Sequence, residues 1–177
     1  MDDEDAGEKR SPFADLEPRQ PTEDDLVLVC RRLNEIGARY LVVGGFAIIQ
    51  AGYGRTTGGI DLIVATDLKN EALVYRGLEV LQDKAVRELK PGEVAEYIVV
   101  RVADEVVVDL MRSASGIEYA EAALYVVVRN VQGVPIPFAS PRVLWRMKAH
   151  THRAKDAADL VFLREYFASL GEEPPPD

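Results

Sequence analysis

A short apolar run that ends in two adjacent glycines constrains the fold of this chain more than any other feature. Residues 40–43 favour a β-strand, whereas residues 46–51, which follow Gly44 and Gly45, are typical of the start of a helix. Glycines at such a junction let backbone amides approach a ligand closely, and a helix N-terminus adds positive potential. The junction therefore predicts a strand-to-helix turn that could bind phosphate, although glycine pairs also form ordinary turns.

Two aspartates in predicted strands are the candidates for further chemistry. Asp61 lies in a short apolar run, and Asp109 stands alone near the end of the valine-rich run 105–111. Taken separately, Asp61 could be a turn or capping residue and Asp109 a strand-end residue that faces water. Upstream of Asp61, Arg55 and Thr57 could add contacts to phosphate or sugar.

The remaining secondary structure is predicted from periodicity and capping. Thr22, with Asp25 three residues later, predicts a capped helix that ends near Gly37, and Asp67 predicts the cap of another helix. Ser140 followed by proline predicts the start of the first of two C-terminal helices. The other predicted elements are strands over residues 60–64, 124–131 and 134–138, a hairpin of residues 96–102 and 105–111 joined at Ala103-Asp104, and C-terminal helices over 141–152 and 155–170.

The composition separates the ends of the chain from one central domain. Residues 1–21 are charged and proline-rich and predict a disordered acidic arm, and residues 172–177 predict a disordered tail. Residues 22–171 fit a single domain, since 47% of the 177 residues are hydrophobic. Because no apolar run is long enough to span a membrane and the only cysteine, Cys30, lies among apolar residues, we expect a cytoplasmic protein.

The charge of the chain is unevenly distributed. A net charge of −9 disfavours broad nonspecific binding to nucleic acid, which depends on lysine and arginine. Residues 142–155 are the exception, because they include five lysines or arginines and no acidic residue. We therefore expect any bound anion near this stretch. The alternative is a solvated basic face on which Lys155 and Asp159 pair four residues apart.

The segment from Gly44 to Val64, together with Asp109, resembles the nucleotidyltransferase superfamily of the DNA polymerase beta type. The mark of that superfamily is a Gly-Gly turn, then Arg-Thr-Thr or similar, then two carboxylates two residues apart on a strand. The Lys-Asp-x-x-Asp sequence within residues 153–160 is most similar to small toxin-antitoxin-associated members. The resemblance implies an α+β fold, with a small mixed sheet flanked by helices and two closing C-terminal helices.

The resemblance also implies which residues form the site. Asp61 and Asp109 match two carboxylates that are catalytic and bind metal, whereas Gly59 stands where the family has its first carboxylate. The residues that would bind nucleotide are Gly44, Gly45, Arg55, Thr57 and Lys148.

The reaction implied by the resemblance is transfer of a nucleotide from a nucleoside triphosphate to a hydroxyl of tRNA, protein or a small molecule. Three carboxylates hold two magnesium ions in that reaction. Because Gly59 has no side-chain ligand, we expect the reaction to be impaired and one ion to be lost.

Glycine at position 59 has three open explanations: an engineered variant, a natural member that only binds nucleotide, and a mistaken alignment. The alternative function is a non-catalytic nucleotide-binding or antitoxin-like module, and a toxin-antitoxin role implies a cognate partner.

Overall fold

The computed structural model describes residues 17–176 and contains helices and strands in mixed order. The helices are α1 (Glu23–Glu35), α2 (Gly44–Gln50), α3 (Leu68–Leu78), α4 (Glu93–Glu96), α5 (Tyr119–Ala122), α6 (Pro141–Lys148) and α7 (Ala154–Ser169). The strands are β1 (Tyr40–Val43), β2 (Gly59–Val64), β3 (Val100–Ala103), β4 (Val107–Met111), β5 (Ser113–Ala114), β6 (Ile117–Glu118), β7 (Val126–Val131) and β8 (Val134–Ala139).

A mixed sheet in the order β3-β4-β2-β1-β8-β7 forms the centre of the molecule. The pairs β2–β4 and β1–β8 are parallel, and the other neighbours in the sheet are antiparallel. All four residues of β1 are buried, as expected for a central strand that is covered on both faces. The predicted α+β fold with a small mixed sheet and two closing C-terminal helices is confirmed.

The helices pack in two groups around this sheet. Helices α1 and α3 contact each other, and they also contact β8 and β2 respectively. Helix α2 contacts β1, β2 and α6, and α6 contacts α7, so the closing helices lie beside the glycine junction. Cys30 is completely buried in the core, and burial raises the pKa of its thiol to about 12.

The predicted caps are confirmed at the start of three helices. The backbone amide of Thr22 donates to the Asp25 carboxylate at 2.7 Å at the start of α1. Asp67 accepts a hydrogen bond from the backbone amide of Asn70, and Ser140 accepts one from Val143. Local capping patterns therefore located these helix starts correctly.

Two predicted element boundaries were wrong by four residues. The strand predicted over residues 96–102 begins only at Val100, because residues 93–96 form the short helix α4. The helix predicted over residues 141–152 ends at Lys148, whose carbonyl accepts a hydrogen bond from the Thr151 hydroxyl in a turn. His152 then adopts a left-handed backbone conformation with φ of 53°, which cannot continue a helix.

Residues 17–21 of the predicted arm lie along the domain. Arg19 donates two hydrogen bonds of 2.7 Å to the Asp25 carboxylate, and its backbone amide donates to the carbonyl of Glu105 at 3.0 Å. The prediction of disorder for residues 1–16 concerns residues outside those that the structure describes. Within residues 17–176, no helix is both long and apolar enough to cross a membrane.

Candidate functional site

All eight residues predicted to form the site line one cleft of about 820 Å³. The cleft lies between the glycine junction, the β2–β4 strands and the two closing helices. Its lining includes Gly44, Gly45, Arg55, Thr57, Gly59, Asp61, Asp109 and Lys148. The structure thus brings together residues that are more than 100 positions apart in the sequence, although the role of each remains a prediction.

The two aspartates are neighbours across the parallel strands at the cleft. Asp61 of β2 is directly opposite Asp109 of β4, and Gly59 is opposite Val107 in the same register. Because side chains alternate along a strand, a side chain at position 59 would face the same side as Asp61. Position 59, to which the resemblance assigns the first carboxylate, therefore belongs to this cleft.

Few neighbouring groups stabilise the side-chain carboxylate of Asp61. Among residues 17–176 it has no hydrogen-bond partner. Burial and the nearby charge of Asp109 raise the pKa of Asp61 to about 6, although the positive charges of Lys155 and Lys148 act in the opposite direction. A positive ligand between the two carboxylates would relieve this repulsion.

The two glycines of the junction are required by close packing as well as by the turn. Gly44 has φ of 64°, and a side chain there would collide with the Asp61 carboxylate. A side chain at Gly45 would collide with Thr57, whose hydroxyl donates to the carbonyl of Gly59 at 3.1 Å. The junction, Thr57 and β2 therefore position one another tightly.

Arg101 is a member of the site that sequence reasoning missed. It lies on β3 directly opposite Asp109, and its guanidinium donates from Nε to Oδ1 at 3.0 Å and from Nη2 to Oδ2 at 3.1 Å. The sequence placed the hairpin turn at Ala103-Asp104, but the strands pair from Ala103 to Val107 with a longer loop. The longer loop shifts the register and brings Arg101, rather than an apolar residue, opposite Asp109.

Buried aspartates of α7 bind two of the predicted nucleotide-binding residues. Asp159 accepts hydrogen bonds from Arg55 at 2.8 and 2.9 Å, and its Oδ2 lies 3.1 Å from Lys148 Nζ. The same ammonium donates to Asp156 at 2.9 Å. Burial raises the pKa of Asp156, but hydrogen bonds from Thr151 and Lys148 outweigh it and lower the pKa to about 2.

The predicted alternative of a Lys155–Asp159 pair on a solvated face was wrong. Asp159 is buried and pairs with Arg55 and Lys148 instead, and Lys155 has no ion-pair partner within residues 17–176. Lys155 nevertheless lines the cleft and interacts electrostatically with Asp61. The basic segment therefore supplies the cleft with an unpaired cation.

The charge of the cleft differs from that of the chain. Five basic and four acidic side chains line the cleft, whereas the chain has a net charge of −9. The basic residues are Arg55, Arg101, Lys148, Arg153 and Lys155, and the acidic residues are Asp61, Asp109, Asp156 and Asp159. An anionic ligand is therefore favoured in the cleft over the rest of the acidic surface.

The acidic side chains that line the cleft do not form a complete metal site. No group of three or more histidine, cysteine or acidic side chains within residues 17–176 is arranged to hold a metal ion. Asp61 and Asp109 fit one divalent ion whose other ligands come from phosphate oxygens or water, because magnesium prefers oxygen ligands and retains several waters. Arg101 would have to release Asp109 for this ion to bind.

A second, smaller cavity of about 170 Å³ is separate from the paired aspartates. It is lined partly by Trp145 and His150. Trp145 Nε1 is the one buried side-chain polar atom within residues 17–176 that has no hydrogen-bond partner. This cavity contains none of the predicted site residues.

The fold is similar to that of solved nucleotidyltransferase-like structures. A putative nucleotidyltransferase from Thermotoga maritima has a similar structure, with a TM-score of 0.51, 17% identity, and coverage of 81% of this chain and 91% of that chain. An antigenic nucleotidyltransferase-like protein from Paracoccidioides brasiliensis gives a TM-score of 0.48 and 16% identity, with coverage of 81% and 75%. At 17% identity the likeness to the Thermotoga maritima protein shows the fold alone. The sequence matches no protein-family model and no curated protein.

Proposed function

We propose that the cleft binds a nucleoside triphosphate together with magnesium, in a nucleotidyltransferase-fold protein whose transfer chemistry is impaired at position 59. The observation behind this proposal is the direct pairing of Asp61 with Asp109 at a cleft that also contains the Gly44-Gly45 junction. Two carboxylates on one face of adjacent strands are suited to a divalent ion, and a glycine junction admits phosphate closely.

The basic residues of the cleft would bind the triphosphate. Lys155 is the one cation of the lining without an ion-pair partner among residues 17–176, whereas Arg55 and Lys148 are oriented by Asp159. Orientation by a buried carboxylate leaves a guanidinium or ammonium with further N–H groups that can donate to phosphate. The Thr57 hydroxyl donates to the backbone of β2, the strand that bears Asp61. Thr57 would therefore mainly position the Asp61 carboxylate and not bind phosphate directly.

Asp61 and Asp109 would hold the magnesium ion that arrives with the triphosphate. In the family reaction, bound magnesium lowers the pKa of the attacking hydroxyl and stabilises the leaving pyrophosphate. The function of Asp61 in this chain is to present an uncommitted carboxylate, and it must be ionised to bind the metal. Because its pKa is raised to about 6, metal binding should strengthen as the pH rises from 5 to 7.

Gly59 would impair transfer because the position supplies no ligand. An added Cβ would lie 3.1 Å from the carbonyl oxygen of Val107 and 3.5 Å from its Cβ, so a side chain requires only a small shift of β4. The backbone of Gly59 is not in the left-handed region. An aspartate at this position should therefore fold and add the missing carboxylate beside Asp61.

The acceptor in this proposal is a hydroxyl of tRNA, a protein or a small molecule. The basic segment 142–155 suits a tRNA acceptor, whereas the net charge of −9 disfavours broad nucleic-acid binding. A cognate toxin-antitoxin partner is a further proposal that rests on the sequence resemblance only.

A second candidate function is a non-catalytic nucleotide-binding or antitoxin-like module. Two observations favour it over a working enzyme. Gly59 provides no metal ligand, and both oxygens of Asp109 already accept hydrogen bonds from Arg101. The two candidates share nucleotide binding and differ in transfer.

Calorimetry with the four nucleoside triphosphates and magnesium tests binding, and labelled transfer to total RNA and protein tests chemistry. We expect the native chain to bind at least one nucleotide and to transfer little or no label. Gly59→Asp should transfer label, whereas Gly59→Asn, which has the same size but no charge, should not. If neither the native chain nor Gly59→Asp binds a nucleotide, the proposed function is wrong. Labelling by neither chain despite binding would favour the non-catalytic module.

A further inference from the structure

Arg101 forms hydrogen bonds to the Asp109 carboxylate, which a metal ion in the cleft would need as a ligand. Its guanidinium bonds to both oxygens of Asp109 at 3.0 and 3.1 Å, in the two-point arrangement that matches a planar carboxylate. The β3–β4 register fixes this pairing, since Arg101 and Asp109 are direct cross-strand partners. The fold therefore places Arg101 where its guanidinium reaches both oxygens of Asp109.

A cation that approaches from solvent meets the side chain of Arg101 before that of Asp109, because Arg101 is the more exposed of the two. The side chain of Arg101 is 66% exposed, whereas that of Asp109 is only 13% exposed. Strand β3 is also the edge strand of the sheet, so nothing in the sheet covers Arg101 from outside. A free metal ion approaching Asp109 must compete with the guanidinium.

We propose that Arg101 is a specificity-determining residue. Its guanidinium acts as an internal cation that binds the Asp109 carboxylate and excludes free divalent metal from it. This inference rests on the proposed function only in treating Asp61 and Asp109 as metal ligands. Arg101 carries a permanent charge, so a competing cation is always present beside Asp109. Asp61 alone offers a single carboxylate, and one carboxylate binds a divalent ion weakly.

A triphosphate changes this competition. Its oxygens offer the guanidinium an alternative two-point partner with more negative charge than one carboxylate. Arg101 can move to the phosphate because its side chain is largely exposed, and Asp109 is then free to accept the metal. Metal should therefore enter the cleft with the nucleotide and not before it.

The test is manganese binding without nucleotide, measured by electron paramagnetic resonance on the folded chain. We expect Arg101→Gln to bind manganese about five- to tenfold more tightly than the native chain, since an exposed two-point ion pair no longer competes. Arg101→Lys, which keeps the charge but lacks the planar fork, should give a smaller gain. Arg129→Gln is the matched control, because Arg129 is an exposed arginine on the opposite edge strand β7.

Two further variants decide whether the gain occurs at Asp109. Arg101→Gln combined with Asp109→Asn should lose the gain, because the ligand is then absent. The proposal is overturned if Arg101→Gln binds no more tightly than the native chain, if Arg129→Gln gains equally, or if the double variant keeps the gain. Thermal unfolding of each variant verifies folding, and Arg101→Lys provides the comparison if Arg101→Gln does not fold. Nucleotide calorimetry is separate, so its failure would remove the proposed function without altering the manganese result.

Discussion

Asp61 and Asp109 are direct partners in the parallel register of β2 and β4, and both line the cleft beside the glycine junction. Only one of the two is bound by a neighbouring cation, because Arg101 contacts Asp109 through both oxygens. The carboxylate of Asp109 is therefore already bound to a cationic side chain, whereas the carboxylate of Asp61 is available to a ligand. This asymmetry leads to different expectations for the two residues.

Asp61→Asn should change how stability depends on pH. The pKa of Asp61 rises from 3.8 to about 6 on folding, so the folded chain binds more protons than the unfolded chain between these values. The contribution of Asp61 to the free energy of unfolding therefore falls as the pH rises through this window. The free energy of unfolding of Asp61→Asn, relative to that of the native chain, should therefore rise by about 2 kcal/mol from pH 4 to pH 7.

Urea unfolding of both chains at pH 4 and pH 7 measures this difference. Asp67→Asn is a suitable control, because the pKa of Asp67 is lowered by its hydrogen bond from the Asn70 amide, so its contribution is lost mainly below pH 3.8 and should change little between pH 4 and pH 7. An Asp61→Asn effect of equal size at both pH values would contradict the raised pKa.

Asp159→Ala should destabilise the protein strongly. The side chain of Asp159 is 1% exposed and lies against Arg55 and Lys148, so its removal leaves two cations with fewer partners. Breaking a buried pair in this way costs about 3 kcal/mol or more. Chemical denaturation monitored by circular dichroism gives the free energy of unfolding.

The comparison for Asp159→Ala is Glu35→Ala in an exposed pair. Glu35 is 54% exposed and pairs with Arg32 three residues earlier on α1, so its loss should cost no more than about 0.5 kcal/mol. Similar costs for the two substitutions would show that the α7 network does not stabilise the closing helices.

Gly44→Ala should disturb the cleft and the fold together. The backbone of Gly44 is left-handed, and an added methyl group would collide with the Asp61 carboxylate. We expect a loss of about 1–2 kcal/mol in stability and weaker nucleotide binding. Gly58→Ala is the matched control, since Gly58 lacks positive φ and a Cβ there would meet nothing within 4 Å. Equal losses at both positions would contradict the role given to the junction.

Much of the site was predictable because its central part is local in sequence. The stretch from Gly44 to Asp61 contains the turn, the strand and most of the predicted residues, and short-range patterns identify such features. Asp109 was found because a lone acidic residue in a valine-rich run is unusual. All of these residues line the cleft in the structure.

The missed contacts depend on register and on long-range packing. Arg101 meets Asp109 because the hairpin loop is longer than the two residues that the sequence indicated, and a small change in loop length alters every cross-strand pair. Asp159 meets Arg55 across 104 positions, and no periodic pattern links them. Helical spacing instead suggested the pairing of Asp159 with Lys155, because it considers only neighbours on one helix.

The central claim is that Asp61 and Asp109 mark a nucleotide site, and the most direct measurement is a crystal structure with manganese and a non-hydrolysable nucleoside triphosphate. We predict an anomalous manganese peak at coordination distance from Asp61 and Asp109, with the triphosphate beside Gly44 and Lys155, and Arg101 moved off Asp109. A nucleotide bound elsewhere, or an empty cleft at saturating nucleotide with Arg101 still on Asp109, would contradict the claim.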